Sequence, residues 1–146
     1  MRASQQLKYA IYGVFDLAYH GADRPVAIQE IGLRQAIPVR YLEQIFQKLR
    51  RGGLVSSKRG PGGGYQLARP ASQISLADVI TVVQGALLAR PEEGARHCAE
   101  SPDFVWELIR ADMSGALESR TIADLCREAA DRGIERAAAE PAMYQI

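Results

Sequence analysis

Residues 38–67 consist of PVRYLEQIFQKLRRGGLVSSKRGPGGGYQL, a helical pattern followed directly by the pattern of a β-hairpin. Apolar residues recur at the i, i+3, i+4, i+7 spacing of one buried helix face, namely Leu42, Ile45, Phe46 and Leu49. A helix is therefore predicted from about residue 38 to residue 51, where Gly52-Gly53 ends it. Residues 54–67 then follow the order strand, glycine-rich turn, strand, which is typical of a hairpin.

The segments before residue 38 complete the pattern of a helix-turn-helix. A short helix is predicted around residues 28–35, and the break Ala36-Ile37-Pro38 separates it from the next one. A first helix is predicted from Ser4, as its N-cap, to about Tyr19. A helix-turn-helix followed by a hairpin is a winged helix, so the predicted fold is mainly α with a β-hairpin wing.

Three further helices are predicted after the hairpin. The first has Ser75 as its N-cap, with Asp78 completing a capping box, and it ends near Gly85. A long helix runs from about residue 103 to residue 119, and a last one follows with Thr121 as its N-cap.

The charge of the chain is divided unevenly between its halves. Residues 1–70 hold 11 Lys and Arg against 4 Asp and Glu, whereas residues 71–146 hold 7 against 13. The net charge of +1 therefore hides a basic first half and an acidic second half. A basic region suits a polyanion such as nucleic acid, and chance asymmetry is the alternative that the motifs must decide against.

Polar side chains occupy the outer face of the helix predicted over residues 38–51. A helix that enters the major groove meets base edges with its first turn and a half, which here holds Arg40, Tyr41, Glu43 and Gln44. Gln44 suits adenine, Glu43 suits the amino group of cytosine, and Arg40 suits guanine or a phosphate. A merely solvated helix face is the alternative, and the adjacent wing favours contact with DNA.

The glycine-rich tract between the two predicted strands admits two interpretations. A nucleotide-binding loop would be followed by a helix that holds the phosphate, but the residues after this tract continue as strand. The glycines, including Gly60 and Gly62, instead allow a narrow tip to approach DNA. Lys58 and Arg59 would then contact phosphates or enter the minor groove.

With these motifs the sequence resembles the Rrf-two family of bacterial winged-helix regulators. The resemblance is carried by Tyr41-Leu42-Glu43-Gln44, by residues 49–55 and by the tract 59–65, and it weakens beyond residue 85. It implies a homodimer that binds a palindromic operator in double-stranded DNA. We expect this homodimer to regulate transcription as a repressor. It also places base contacts at Tyr41, Glu43 and Gln44 and the wing arginine at Arg59.

The loop before the long helix departs from the pattern of that family. Cluster-binding members carry three cysteines in this loop, whereas residues 87–103 contain one, Cys98, beside His97. The resemblance puts Asp103 where a histidine ligand would lie. A complete three-cysteine iron–sulfur ligand set is therefore absent, and the cofactor stays unknown. A mixed-ligand iron–sulfur cluster that uses His97, Cys98, Asp103 or Cys126 is one alternative.

Other signals at the loop 87–103 also stay open. Cys98 lies in a polar loop whose neighbours can stabilise a thiolate, which suits redox sensing, and an inert cysteine is the plainer alternative. Cys126 follows apolar helix positions and is expected to behave as a small buried hydrophobe. A small-molecule effector, or a protein partner that controls a cluster-free regulator, would fit the same region.

The long helix has more apolar surface than one neighbour within the chain can cover. We expect it to form the homodimer seam through Trp106, Ile109, Met113 and Leu117, the alternative being a helix buried entirely within one chain. The predicted organisation is a DNA-binding winged helix-turn-helix over 1–86, a sensor loop over 87–103, dimerisation helices over 104–136 and a loose tail over 137–146.

Several classes of protein are disfavoured by composition. No apolar stretch approaches the roughly 20 residues that span a bilayer, so no membrane association is expected. The two cysteines, Cys98 and Cys126, exclude a disulfide framework and favour a cytoplasmic protein. An enzyme with Cys98 as nucleophile and His97 as base would need an orienting group and an oxyanion site, and neither is evident.

Overall fold

The computed structural model describes residues 2–21, 23–85 and 102–137, which form six α-helices and one antiparallel β-hairpin. Most of the predicted loop 87–103 and of the predicted tail 137–146 lies outside these residues. The elements in chain order are α1 (Ala3–His20), α2 (Ile28–Gln35), α3 (Val39–Arg51), β1 (Val55–Lys58), β2 (Gly64–Leu67), α4 (Leu76–Gln84), α5 (Phe104–Glu118) and α6 (Ile122–Asp131).

Helices α2 and α3 form the predicted helix-turn-helix. Helix α2 ends at Gln35. Its C-cap residue Ala36 has a left-handed backbone (φ 55°) that reverses the chain, and the backbone N–H of Ile37 donates to the carbonyl of Gly32. Pro38 then occupies the N-cap position of α3, where its missing N–H and fixed φ cost nothing.

The predicted apolar face of α3 forms the centre of the core. Its four residues are at most 1% exposed, namely Leu42, Ile45, Phe46 and Leu49. The ring of Phe46 lies against Gly13 of α1, and its centroid is 4.8 Å from that of Tyr65 on β2. Helix α3 is therefore fixed from both sides, by α1 and by the hairpin.

The predicted hairpin forms, and its strands pair Val55 with Leu67 and Lys58 with Gly64. A third strand segment has no signature in the sequence, because it is a single residue long. Val26 and Tyr65 exchange two backbone hydrogen bonds of 2.8 Å, which join the segment before α2 to the outer edge of β2. This bridge holds the base of the wing against the helix-turn-helix.

The C-terminal part of the chain returns to the same core. Ser75 and Thr121 each cap a helix, and both form capping boxes, with Asp78 and Asp124 respectively. The backbone N–H of Ile122 donates to the carbonyl of Ile74, and Ile122 is fully buried. Helix α6 thus packs against the winged helix. The division of the chain into segments 1–86, 87–103, 104–136 and 137–146 remains a prediction.

The N-cap predicted for α1 is wrong. The helix begins at Ala3 with Arg2 in the N-cap position, and no side chain caps it. Ser4 lies inside the first turn, where its hydroxyl is too late in the chain to accept from the N-terminal amides in the usual way. The short 3₁₀ turn Ala71–Gln73 that precedes α4 was also not predicted.

Candidate nucleic-acid interface

The outward face of α3 presents polar side chains at its N-terminal end. Arg40, Glu43 and Gln44 are exposed, and Tyr41 is half-buried. Within the described part of the chain, the side chains of Glu43 and Gln44 form no hydrogen bond or ion pair. Their donors and acceptors are therefore free to meet a partner that approaches α3 from outside.

Arg40 and Tyr41 are the two members of this set that contact each other. The guanidinium of Arg40 stacks on the Tyr41 ring, 4.7 Å from its centroid, and donates to the phenol oxygen at 3.0 Å. The Tyr41 ring stacks in turn on Tyr9 of α1, at a centroid distance of 6.3 Å. This stack fixes a cation at the N-terminal end of α3, next to Glu43 and Gln44.

A buried carboxylate holds α2, and with it the helix-turn-helix, against α1. Asp16 is fully buried and accepts two hydrogen bonds from Arg34, at 2.7 and 3.0 Å, and one from Gln35 at 2.9 Å. The hydrogen bond to Asp16 raises the pKa of Arg34 further above its ordinary value. A buried charge is stable only when it is paired and hydrogen-bonded, and Arg34 and Gln35 together do this for Asp16.

This clamp was not predicted from the sequence. Its signal is the carboxylate at Asp16, which interrupts the otherwise apolar set that α1 buries. A charged residue on a buried helix face is rarely tolerated without a partner, so its presence could have indicated a distant cation. The identity of that cation, Arg34, required the fold.

The tip of the wing is exposed, cationic and shaped by glycines. Gly60 and Gly62 adopt positive φ values of 97° and 73°, a conformation that disfavours other residues. Lys58 and Arg59 are exposed and form no ion pair with any described carboxylate. The tip therefore offers two unpaired cations on a narrow turn.

The wing and α3 are also joined directly. Arg50 in the last turn of α3 donates to the hydroxyl of Ser57 on β1 at 3.3 Å. Since Phe46 also packs on Tyr65, the wing is fixed to α3 both by an apolar contact and by a polar one. The predicted DNA-contacting residues thus lie on two elements that contact each other directly.

Helix α5 carries the residues predicted for the dimer seam. Trp106 and Met113 are 47% and 39% exposed, Ile109 and Leu117 are half-buried, and α5 has no buried residue. The four positions fall on one side of the helix at spacings of three or four residues. Within the described residues this apolar side is only partly covered.

The predicted sensor residues are not brought together by the described structure. His97 and Cys98 lie outside the described residues, and Asp103 is exposed just before α5. Cys126 is half-buried in α6 against the core, and burial raises the pKa of its thiol, which disfavours the thiolate that metals bind. No group of three His, Cys, Asp or Glu residues among those described could hold a metal ion. The described residues therefore do not fit an iron–sulfur cluster.

None of the described helices is long and apolar enough to cross a membrane.

Comparison with known proteins gives results that agree with this geometry. A family model described as "Rrf2: Iron-dependent Transcriptional regulator" matches residues 3–128. A relative from Serratia proteamaculans, the HTH-type transcriptional regulator IscR, is 38% identical over 129 residues, which cover 86% of this chain and 79% of that protein.

Solved structures of similar proteins have the same fold. IscR from T. potens matches with a TM-score of 0.74 and 33% identity, covering 94% of both chains. CymR, the global cysteine regulator of B. subtilis, matches with a TM-score of 0.74 and 29% identity, covering 88% of this chain and 98% of that one. The predicted winged-helix fold and the family resemblance are thereby confirmed.

Proposed function

The chain belongs to the Rrf2 family of transcriptional regulators, and from this premise we propose that it represses transcription as a homodimer bound to a palindromic operator. Its relatives are DNA-binding regulators, so the chain is a regulator of this kind and not an enzyme. The alternative in which Cys98 acts as a catalytic nucleophile is thereby excluded. Because its target is chromosomal DNA, we place the protein in the cytoplasm.

One observation carries the proposal. Polar side chains on α3 and cations on the adjacent wing are exposed and form no ion pair with described residues. Within the described residues, the side chains of Glu43 and Gln44 form no hydrogen bond, so their polar atoms can meet the edges of bases. Lys58 and Arg59 form no ion pair with a described carboxylate. Cations on phosphates supply affinity, and a few base contacts supply sequence preference. Both sets of side chains lie on elements that contact each other, α3 and the wing.

Each side chain has a distinct role in the proposed complex. Gln44 donates to and accepts from adenine, and Glu43 accepts from the amino group of cytosine. Arg40, held on the Tyr41 ring, contacts guanine or an adjacent phosphate. Arg59, on the narrow tip that Gly60 and Gly62 provide, enters the minor groove beside the major groove that α3 occupies.

The homodimer is supported by the apolar side of α5. Trp106, Ile109, Met113 and Leu117 form one stripe, and a second copy would cover it with the same stripe in a two-fold arrangement. Two-fold symmetry in the protein matches an inverted repeat in DNA, with half-sites about one helical turn apart. Repression then requires only that the dimer occupies promoter DNA.

The signal is proposed to act at the loop 87–103, which precedes the dimer helix α5. A change there would shift the spacing of the two α3 helices, and a small shift abolishes the fit to both half-sites. Cys98, with His97 beside it, is the proposed sensor, either through oxidation or as part of a mixed-ligand cluster. The buried thiol of Cys126 makes it the weaker candidate. A small molecule or a protein partner at the same loop is the alternative.

The DNA-binding proposal is tested by mobility-shift titration of a mixed-sequence duplex pool at low ionic strength. Arg59→Glu is expected to weaken binding strongly, because it places a carboxylate on phosphates. Arg132→Glu, on an exposed arginine beyond α6, makes the same charge change away from the wing and is expected to bind nearly as the wild type does. Equal retardation of both variants, or none for the wild type, would refute the proposal.

The signal is tested by comparing Cys98→Ser with the wild type in oxidised, reduced and iron-loaded preparations. Wild-type operator binding is expected to differ between preparations, whereas the variant binds identically in all three. A visible absorption band in the anaerobic iron-loaded wild type, absent from the variant, would assign the response to a cluster. A response that survives in the variant would exclude Cys98 and favour the small molecule or the protein partner.

A further inference from the structure

A groove lies between the first turns of α1 and the N-terminal end of α3. It has a volume of about 790 Å³ and is lined by Arg2, Ser4, Gln5, Lys8 and Tyr41. The residues from the α1 side are exposed or half-buried, and Tyr41 is half-buried. The groove is polar and open to solvent, so it suits a hydrated, charged partner more than an apolar one.

The charge of this groove has one sign. Arg2 and Lys8 are its charged residues, and neither forms an ion pair with a described carboxylate. The first turn of α1 contains no acidic residue. The first carboxylate along α1 is Asp16, which is fully buried and bonded to Arg34. An anion in the groove would therefore meet two cations and no competing charge from α1.

A row of contacts connects the groove to the residues proposed to contact bases. Gln5 donates to the Tyr9 hydroxyl at 2.9 Å, and the Tyr9 ring stacks on Tyr41. Tyr41 in turn supports Arg40, whose guanidinium lies 4.7 Å from the ring centroid. The groove is thus continuous with the surface that α3 would present to the major groove.

A second contact fixes α1 to α3 beside this row. The ammonium of Lys48 on α3 donates to the side-chain oxygen of Gln6 on α1 at 3.1 Å. Lys8 is held near the aromatic surface of α1, 5.5 Å from the centroid of the Tyr12 ring. The Lys48–Gln6 bond joins the groove side of α1 to α3, so a ligand bound in the groove would help to set the position of α3.

We infer that this groove binds the DNA phosphate backbone at the edge of the major groove that α3 enters, with Arg2 and Lys8 as the phosphate contacts. The inference rests on the proposed DNA-binding function and adds a third contact element to the helix and the wing. Phosphate contacts carry no sequence information, but they fix the register of the protein on the duplex. By contacting the phosphates, helix α1 thus aligns Glu43 and Gln44 with the bases.

The test measures how affinity depends on salt, because each neutralised phosphate adds a defined amount to the slope. A fluorescein-labelled duplex of mixed sequence is titrated by anisotropy between about 50 and about 200 mM NaCl. In Arg2→Gln/Lys8→Gln, the slope of log affinity against log salt is expected to decrease by about one for each cation removed from a phosphate. Affinity itself is expected to fall by roughly tenfold on every duplex tested, since all base-reading side chains are retained.

The control is Arg127→Gln/Arg132→Gln, which removes two positive charges at α6. These side chains are about 70% exposed and are paired on their own helix with Asp124 and Glu128. The control is expected to keep the wild-type slope, and Lys8→Arg is expected to bind as the wild type does where Lys8→Gln binds more weakly. Thermal unfolding of all variants distinguishes weaker DNA binding from misfolding, because exposed polar changes leave the midpoint near that of the wild type.

The outcomes separate this inference from the function on which it rests. If the wild type binds duplex and Arg59→Glu weakens it, but Arg2→Gln/Lys8→Gln keeps the wild-type slope, the groove is not a phosphate site. A slope that decreases equally in the α6 control would also refute the inference, because net charge alone would explain it. If the wild type itself fails to bind duplex, both proposals are wrong.

Discussion

Helices α3 and α5 have similar lengths, 13 and 15 residues, yet one chain buries them very differently. On α3 the four apolar residues of the inner face are at most 1% exposed. On α5 no residue is buried, and Phe104, Trp106 and Leu108 are 63%, 47% and 57% exposed. Among the described residues, the apolar face of α3 is fully covered, whereas that of α5 is only partly covered.

The difference separates a helix whose apolar face is buried by described residues from one whose apolar side is proposed to meet a second copy of the chain. The inner face of α3 is matched by Gly13 and by Tyr65, which come from elements before and after it. Neighbouring exposed apolar side chains, such as those on α5, are typical of an interaction site, which supports the proposed homodimer. The DNA-contacting unit is therefore expected to be stable in one chain, and α5 is expected to be the part that responds to assembly.

The largest effect is expected from Phe46→Ala. Phe46 is fully buried between Gly13 and Tyr65, so truncation leaves a cavity and should reduce the free energy of unfolding by about 3–5 kcal/mol. Urea denaturation followed by circular dichroism measures this decrease. Phe104→Ala, the same change at a residue that is 63% exposed, is the control and should cost far less. Equal decreases would show that α5 is as well packed as α3.

A substitution on the exposed side of α5 should act on assembly instead. Trp106→Glu is expected to raise the dimer dissociation constant about 30-fold or more, because a central aromatic in an interface contributes about 2 kcal/mol or more. Sedimentation velocity over a concentration series measures the change. Leu33→Glu, at an 84% exposed residue of α2, adds the same charge outside the stripe and should leave the dimer intact. If both variants dissociate, or neither does, α5 is not the specific interface.

Two glycine substitutions should have opposite signs. A Cβ at Gly13 would lie 2.7 Å from Cε2 of the buried Phe46 ring, so Gly13→Ala should cost about 1–3 kcal/mol of unfolding free energy. A Cβ at Gly115 of α5 meets no described atom within 4 Å. Gly115→Ala should therefore stabilise the monomer by about 0.5–1 kcal/mol through helix propensity. Chemical denaturation at a concentration below dimer formation would detect a reversal of either sign.

The smallest effect is expected from pH at the C-terminal end of α1. His20 accepts a hydrogen bond of 2.8 Å from the backbone N–H of Ala137, and burial lowers the pKa of His20 below 6.5. Protonation is therefore disfavoured in the folded state. This contribution to stability is present above the unfolded pKa of 6.5 and disappears as pH falls through the lower folded value.

His20→Ala tests this dependence. Unfolding midpoints measured on either side of pH 6.5 should show a smaller decrease at acidic pH for the variant than for the wild type. An unchanged pH profile in the variant would mean that another group causes the acid sensitivity. A change confined to the dimerisation equilibrium would mean that His20 acts through assembly rather than through the fold of one chain.

The same contrast explains what the sequence could predict. Helix α3, the wing, the capping box at Ser75 and the N-cap at Thr121 follow from residues close together in sequence, and all were predicted. The Asp16–Arg34 clamp and the Val26–Tyr65 bridge join residues far apart, so no local pattern identifies both partners of either contact. The spacing of apolar residues also predicts one apolar side on α5, but it does not show what covers that side.

Selection of bound duplexes from a random-sequence pool asks whether two copies of α3 read DNA together. We predict an enriched inverted repeat with half-sites about 34 Å apart, occupied by two protomers. Gln44→Ala should weaken the preference at one position in each half-site while keeping general affinity for duplex DNA. Enrichment of no sequence, or of a single half-site bound by one protomer, would contradict recognition of DNA by a dimer.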